Sequence, residues 1–176
     1  MSQLRCAAIY ARVSTEMQSR ASIDDQIRKC RQYSETHGLN VLEEHIYREE
    51  ALSGVGADRP ALKRILQLAL SVASPFAAIL VDDTSRLSRT TEDALSIFKR
   101  LNFAGVELIA VSQGISSDHE QSEMLVTLHG LMDSQYVREL AKKTHRGMEG
   151  RALRGLHTGG RIFGYDAVSL GEGAGK

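Results

Sequence analysis

The chain contains few of the features that mark secreted or membrane-bound proteins. Among its 176 residues there are two cysteines, Cys6 and Cys30, and their positions do not form a metal-ligand motif. No run is apolar enough to span a bilayer, and the first residues lack the long apolar segment of a signal peptide. We therefore expect a soluble, cytoplasmic protein with no membrane partner, whose cysteines are small core residues in a reducing compartment.

Several common catalytic motifs are also missing. There is no Walker loop, no Gly-x-Gly-x-x-Gly after the first predicted strand, and no Gly-x-Ser-x-Gly elbow. The histidines are scattered over predicted helix, strand and linker positions: His37, His45, His119, His129, His145 and His157. The sequence therefore argues against a Ser-His-Asp hydrolase and against the usual nucleotide-binding loops.

The formal net charge is zero, but the charge is unevenly distributed. Residues 1–137 hold 14 Lys and Arg against 18 Asp and Glu, a net charge of −4, whereas residues 138–161 hold seven basic residues against two acidic ones, a net charge of +5. Such a basic segment is either a solvated helix face or a surface that binds nucleic-acid phosphates. The candidate DNA-binding residues are Arg138, Lys142, Lys143, Arg146, Arg151 and Arg154.

Apolar runs alternate with helical patterns along the first two thirds of the chain. This alternation predicts an α/β fold with a mainly parallel central sheet and flanking helices. The predicted strands are 5–11, 41–47, 77–82 and 106–112, and the predicted helices are 22–37, 61–72 and 91–104. Ser22 with Asp25, and then Asp58, are the predicted helix caps, and Gly38 and Gly105 are the predicted helix ends.

A long helix is predicted over 120–153. Met124, Leu125, Leu128, Leu131, Met132, Gln135 and Tyr136 recur at helical spacing. This stripe fits either a helix that covers the domain's own core or a surface that binds a partner chain. Residues 154–176 are rich in glycine and predict a linker or the start of another module, so we expect the chain to be a fragment.

Ser14 follows the first predicted strand, two residues after Arg12. A serine in this position is commonly a turn or cap residue, but a second polar cluster follows the third predicted strand and contains Arg86 and Arg89. Arginine forks bind phosphate oxygens in two places. One serine with arginines at two strand ends therefore suggests nucleophilic attack on a phosphate.

Asp82 and Asp83 lie at the end of the third predicted strand, before this arginine pair. Two adjacent carboxylates could bind a magnesium ion, cap the next turn, or pair with Arg86 and Arg89. We favour the arginine pairing, and we expect no metal or other cofactor.

Four ordered motifs resemble those of the serine recombinases, the resolvase and invertase family. They are Tyr10-Ala11-Arg12-Val13-Ser14-Thr15, then Gln26, then Ala51-Leu52-Ser53-Gly54 with Asp58-Arg59-Pro60, then Ser85-Arg86-Leu87-Ser88-Arg89. The segment Gly159-Gly160-Arg161-Ile162-Phe163-Gly164-Tyr165 is similar to the entry into the DNA-binding region of the large serine recombinases. The resemblance covers about residues 4–165.

The resemblance implies a DNA strand-transferase. Ser14 would attack a DNA phosphate, form a phosphoserine link and leave a free 3′ hydroxyl, with neither ATP nor metal. The residues implied around the scissile phosphate are Arg12, Gln26, Ser53, Arg59, Arg86 and Arg89. The implied partners are double-stranded DNA, a second copy in a homodimer, a synaptic tetramer formed through the long helix, and an accessory directionality protein.

The resemblance also implies a domain division. Residues 1–153 would be the catalytic domain with the long helix, and 154–176 the start of a DNA-binding region. One position departs from the family pattern, because Ser85 stands where many members carry an aspartate before the first arginine of the pair. Asp82 or Asp83 could substitute for it. The departure keeps open a catalytically inactive assembly module that binds DNA, and a small-molecule phosphate-binding domain fits the fold pattern alone.

Overall fold

The computed structural model describes residues 5–13, 20–49, 59–88, 90–119, 121–160 and 163–164. The chain forms two compact units, Met1–Gly130 and Leu131–Lys176. Within the described ranges, none of the helices combines the length and the apolar character needed to cross a bilayer.

The first unit is built on a five-stranded sheet. The strands are β1 (Arg5–Arg12), β2 (Leu39–Glu49), β3 (Ala78–Val81), β4 (Glu107–Ala110) and β5 (Ile115–Ser116). Their order in the sheet is β2-β1-β3-β4-β5. The first four strands are parallel, and β5 pairs with β4 in the antiparallel direction. The predicted mainly parallel sheet is confirmed, and the two-residue strand β5 was not predicted.

Helices cover both faces of this sheet. They are α1 (Arg20–Thr36), α2 (Pro60–Ala69), α3 (Thr91–Phe103) and the start of α4 (Ser122–Leu153). Two short 3-10 helices follow strands: Thr84–Arg86, here named the arginine turn, and Val111–Gln113, here named the exit turn. The prediction that β4 reaches residue 112 is wrong, because the backbone leaves the extended conformation after Ala110. It forms the 3-10 helix of the exit turn, which ends at Gly114 with φ +63°.

Side chains of β1 alternate between the two cores of the unit, as the pleat of a strand requires. Ala8 and Tyr10 lie in the core with α2 and α3, whereas Ala7, Ile9 and Ala11 lie in the core with α1. All five are fully buried, so β1 is covered on both faces.

Both cysteines are free thiols at the positions expected of small core residues. Cys6 is half-buried and Cys30 is buried on α1. Burial raises the pKa of Cys30 to about 12, so its thiol stays protonated and unreactive near neutral pH.

The glycine signals for helix ends are correct, whereas the signal for the start of α1 is wrong. Gly38 and Gly105 follow α1 and α3 with φ of +65° and +72°. However, α1 begins at Arg20, so Ser22 and Asp25 lie inside the helix rather than in a capping box. The backbone carbonyl of Ser22 accepts a hydrogen bond from the Gln26 side chain instead.

The start of α2 is capped by a residue from a neighbouring strand. The predicted cap, Asp58, lies outside the described residues, and Arg59 at the N-cap position makes no side-chain cap bond. The carboxylate of Glu49 accepts a hydrogen bond from the amide of Leu62 at 3.1 Å. This buried carboxylate satisfies one of the amides that the first turn of a helix leaves unpaired.

Helix α4 confirms the predicted long helix. Part of its apolar stripe covers the domain's own core, which was one of the two alternatives. Leu125 and Val126 pack on the core of the first unit. Met124 and Leu128 are exposed. The helix thus covers the core with one side of its first turns, while other members of the predicted stripe remain uncovered.

The second unit contains the rest of α4 and the segment that follows it. The helix ends in a Schellman motif, in which Leu156 N donates to Arg151 O at 2.9 Å and Gly155 N donates to Ala152 O at 2.9 Å. Nε of Arg151 then donates to the carbonyl of His157 at 2.8 Å, which ties the next residues to the end of the helix.

Gly130 is expected to be intolerant of alanine. A Cβ at this position would lie 2.1 Å from Oγ1 and 2.9 Å from Cβ of Thr91 at the start of α3. Rotation of the Thr91 side chain does not relieve the second contact, so the backbone of α3 or α4 must shift. We expect Gly130→Ala to lower the free energy of unfolding by about 1–3 kcal/mol, the usual cost of overpacking.

Gly147 provides the matched control, because it lies in the same helix and a Cβ there meets nothing within 4 Å. Gly147→Ala should be neutral or should stabilise the protein, since alanine favours a helix over glycine by up to about 1 kcal/mol. Urea unfolding followed by circular dichroism measures both variants. Equal stabilisation by the two substitutions would show that α4 does not approach Thr91 as described.

Candidate active site

The candidate site lies where β1 ends, at the carboxyl edge of the parallel sheet, where α/β proteins commonly bind ligands. Arg12 is the last residue of β1 and lies on the same face of the strand as Tyr10, two residues earlier. Its side chain is 8% exposed. The guanidinium donates from Nε to the carbonyl of Arg86 at 2.8 Å and from a terminal nitrogen to the carbonyl of Ser85 at 2.6 Å.

Gln26 holds the backbone of Arg12 from the other side. It is buried on α1, and its Oε1 accepts from Arg12 N at 3.3 Å while its Nε2 donates to Arg12 O at 3.1 Å. The primary amide thus pairs with both polar backbone atoms of one residue and fixes the end of β1 against α1. This contact gives Gln26 a defined structural role.

The arginine turn is organised by Asp83. Its carboxylate accepts from the amide of Ser85 at 2.9 Å and from the Ser85 hydroxyl, which caps the turn. The other carboxylate oxygen accepts from Nε of Arg86 at 3.1 Å. A terminal nitrogen of Arg86 also donates to the carbonyl of Arg12 at 3.3 Å. Asp83 therefore caps the turn and orients the guanidinium of Arg86.

A third guanidinium reaches the same turn from the start of α2. Arg59 donates to the carbonyls of Arg86 and Leu87, and to the hydroxyl of Tyr10 at 2.9 Å. Its Cζ also lies 5.8 Å from the centre of the Tyr10 ring. The Nε of Arg59 is buried without a hydrogen-bond partner.

Tyr10 acts here as a neutral phenol. Burial raises the pKa of its hydroxyl, and the positive charge of Arg59 partly opposes the shift. The phenol therefore stays protonated near neutral pH and supports Arg59 rather than acting as a base.

The turn thus gathers positive charge from three separate elements. Carbonyl oxygens of residues 85–87 accept hydrogen bonds from Arg12 and Arg59, and Arg86 extends from the turn itself. Arginine remains charged at any ordinary pH, and its planar fork suits a phosphate. Such a cluster at a sheet edge can bind an anion and stabilise negative charge that develops on it.

Asp82 and Asp83 have different partners, which disfavours the magnesium interpretation. Asp83 pairs with Arg86, as favoured from the sequence. Asp82 instead accepts from Lys29 Nζ at 3.2 Å and from the hydroxyl of Ser112, so arginine pairing is the wrong prediction for this residue. Within the described part of the chain, no group of three or more His, Cys, Asp or Glu residues could hold a metal ion.

The structure brings together four of the seven predicted catalytic residues. Arg12 contacts Gln26 and Arg86, and Arg59 contacts the carbonyl of Arg86. The other three lie outside the described residues: Ser14, Ser53 and Arg89.

Comparison with known proteins identifies the family. Residues 7–157 match the family model described as Resolvase, N terminal domain. The chain belongs to the resolvase family. This membership places it among the serine recombinases, the site-specific DNA recombinases that act on DNA as oligomers.

Individual relatives support the assignment. The chain is 30% identical over 152 residues to the Transposon Tn3 resolvase of Escherichia coli, covering 86% of this chain and 75% of the relative. It is 29% identical over 150 residues to the R46 site-specific recombinase of Escherichia coli, covering 85% and 72% of the two chains.

Solved structures agree at the level of the fold. The N-terminal catalytic domain of TP901-1 integrase has 28% identity and a TM-score of 0.58, covering 77% of this chain and 98% of that domain. A resolvase family site-specific recombinase from Streptococcus pneumoniae has 22% identity and a TM-score of 0.61, covering 84% and 98%. At 22% identity, the second comparison supports the fold only.

The basic residues predicted to bind DNA lie on and just after the later turns of α4. Four of them are exposed: Arg138, Lys142, Lys143 and Arg146. Arg154 is also exposed and donates from Nε to the carbonyl of Gly150 at 2.9 Å, while Arg151 is half-buried at the helix end.

The sequence analysis missed two residues of the candidate site. Tyr10 was part of a motif but had no assigned role. It precedes Arg12 by two residues, and this spacing in a strand places both side chains on one face. Glu49 lies opposite Arg12 in the pairing of β1 with β2. Its carboxylate also caps α2, the helix that begins directly after Arg59. No local pattern marked Glu49, because its partner lies 13 residues away on another element.

Proposed function

We propose that this recombinase cleaves DNA through a covalent phosphoserine intermediate at Ser14. The serine oxygen attacks the scissile phosphorus, a new Ser14 O–P bond forms, and the P–O3′ bond breaks. The hydroxyl proton leaves the serine, and the departing 3′ oxygen takes up a proton to become a free 3′ hydroxyl. Rejoining reverses these steps, so the bond energy is retained and the reaction needs neither ATP nor metal.

The convergence of Arg12, Arg59 and Arg86 carries this proposal. The three guanidiniums meet at one turn, and Ser14 follows Arg12 by two residues in the sequence. A pentacoordinate phosphorus carries more negative charge on its equatorial oxygens than the diester does. Preorganised arginines stabilise that charge selectively. We assign the same role to Arg89, and we assign Ser53 to the loop beside the site.

Trapping the covalent intermediate tests the proposal. The longest form of the protein is incubated with a DNA site nicked so that the cleaved strand end diffuses away, and the adduct is resolved under denaturing conditions. Peptide mapping by mass should find the DNA attached to the peptide that contains Ser14. Attachment at any other residue would contradict the proposed nucleophile.

We further propose that residues 1–153 form the catalytic domain and that 154–176 begin a DNA-binding region of the large-subgroup type. The exposed basic residues of α4 would bind the DNA backbone next to the cleavage point. Neutralising phosphates releases condensed counterions, so binding weakens steeply with salt.

The salt dependence gives a quantitative prediction for Lys142 and Lys143. Replacing both with alanine should reduce the slope of log K against log salt by about 2, since each lost phosphate contact removes about one unit. Fluorescence anisotropy at several salt concentrations measures the slope. Glu149→Gln, in the same helix, should not reduce it. An unchanged slope in the double variant would place the DNA contacts elsewhere.

The apolar stripe of α4 supports the proposed homodimer and synaptic tetramer. The exposed apolar members of this stripe in the two units are Met124, Leu128, Leu131, Met132 and Tyr136. Exposed apolar side chains in a row commonly mark a protein interface. An accessory directionality protein is proposed on the family resemblance alone.

A second candidate function is an inactive module that assembles on DNA. Two observations favour it: Ser85 replaces the expected aspartate, and the guanidinium of Arg12 donates to backbone carbonyls at the turn. Sedimentation with and without DNA, beside the trapping experiment, separates the two candidates. Assembly on DNA without any covalent adduct would favour the module, whereas an adduct at Ser14 would exclude it.

A further inference from the structure

The exit turn after β4 binds the segment that carries the arginine turn. Ser112 N donates to the carbonyl of Asp82 at 2.8 Å, and the Ser112 hydroxyl donates to the Asp82 carboxylate. Next in the chain, Oε1 of Gln113 accepts from the amide of Thr84 at 3.0 Å. Thr84 is buried and is the first residue of the arginine turn. Three hydrogen bonds therefore join the exit turn to this segment.

Asp82 extends the same connection to α1. Its side chain is buried, and Lys29 Nζ lies 3.2 Å from Oδ1 and 3.5 Å from the Ser112 hydroxyl. A buried carboxylate is stable when it is paired and hydrogen-bonded in this way. Lys29 follows Gln26 by one turn of α1, and Gln26 holds the backbone of Arg12. The exit turn, α1 and the arginine turn thus share one polar cluster.

We infer that Gln113 is a positioning residue for the arginine turn, an inference that rests on the proposed cleavage reaction and deepens it. The first two amides of the turn are satisfied by side chains: Ser85 N by Asp83 from within the segment, and Thr84 N by Gln113 from the exit turn. Asp83 moves with the turn. Gln113 belongs to a different element and therefore fixes the turn relative to the sheet.

A shift of the arginine turn would displace all three guanidiniums. Arg86 belongs to the turn, and the carbonyls that Arg12 and Arg59 contact belong to it or follow it directly. A displacement of about 1 Å in a catalytic constellation can lower a rate by about a hundredfold. Gln113 thus acts on the reaction through the arginines and without touching the DNA itself.

The test compares Gln113→Leu, which removes the acceptor at similar size, with Gln113→Glu, which keeps an oxygen at that position. Gln113→Leu should slow single-turnover adduct formation by about ten- to a hundredfold while DNA affinity stays within about twofold. Gln113→Glu should restore most of the rate. Gln67→Leu, the same change at an exposed position of α2, should have no effect. A wild-type rate in Gln113→Leu, or an equal loss in both Gln113 variants, would overturn the inference.

Amide hydrogen exchange tests the same inference without any DNA reaction. In Gln113→Leu, the Thr84 amide should lose protection while amides of β3 keep theirs, because the acceptor is lost and the sheet is not. Unchanged protection at Thr84 would refute the positioning role. Absence of an adduct in the wild-type protein would instead refute the proposed cleavage reaction, and the exchange result would still decide whether Gln113 holds the turn.

Discussion

Ser14→Ala is expected to abolish covalent attachment of the protein to DNA while leaving DNA affinity within about twofold. The substitution removes the oxygen that forms the bond to phosphorus, and an alanine side chain offers no substitute. Removal of the nucleophile from other covalent enzymes lowers the reaction rate by up to about 10⁶-fold, so the adduct should fall below detection. The proposed DNA contacts lie on α4 and should persist. Gel analysis of trapped complexes and anisotropy measure the two quantities.

The control for this prediction is Ser19→Ala, the same chemical change five residues further along the chain. It should form the adduct at close to the wild-type rate. An adduct in Ser14→Ala would show that another side chain is the nucleophile. Parallel loss of DNA affinity in Ser14→Ala would mean that this serine binds DNA or supports the fold rather than attacking the phosphate.

Arg86→Ala is expected to lower the rate of adduct formation by about 10²–10³-fold, the usual cost of one preorganised contact to a developing oxyanion. Arg86 is held between Asp83 and the carbonyl of Arg12, so its guanidinium is fixed before DNA arrives. Arg86→Lys retains the charge but loses the planar fork, and it should recover only part of the rate. Single-turnover kinetics at saturating DNA isolate this effect from binding.

Arg64→Ala is the matched control for charge, because Arg64 is an exposed residue of α2. It should leave the rate unchanged. A similar loss in Arg64→Ala and Arg86→Ala would indicate a general electrostatic effect. A near-normal rate in Arg86→Ala would remove this residue from the proposed reaction, and the same standard applies to Arg89.

Local signals predicted most of the elements of the first unit. Apolar runs gave the four parallel strands, because a strand covered on both faces must be apolar at nearly every position. Gly38 and Gly105 marked helix ends, because a positive φ is inexpensive for glycine. Ser22 misled, since a serine in the first turn of a helix has the same local pattern as a serine that caps it.

Four residues of the candidate site were predicted, but the contacts between them were not. The motifs named Arg12, Gln26, Arg59 and Arg86, and these four lie together. No pattern indicated that the acceptors for Arg12 are backbone carbonyls 73 and 74 residues further along the chain. Main-chain oxygens are present at every residue, so the sequence carries no signal for which of them a side chain will meet.

The sequence by itself determined the order along the chain of the four parallel strands and the four α-helices, the length of α4, and the residue types available for phosphate chemistry. Periodicity and residue chemistry are local properties, and they can be evaluated without knowing what packs on what. Only the tertiary structure decided that Asp83 holds Arg86 whereas Asp82 holds Lys29 and Ser112. It also decided that Glu49 caps α2. Adjacent carboxylates are equivalent in a sequence, and the elements that surround each of them in the folded chain determine their partners.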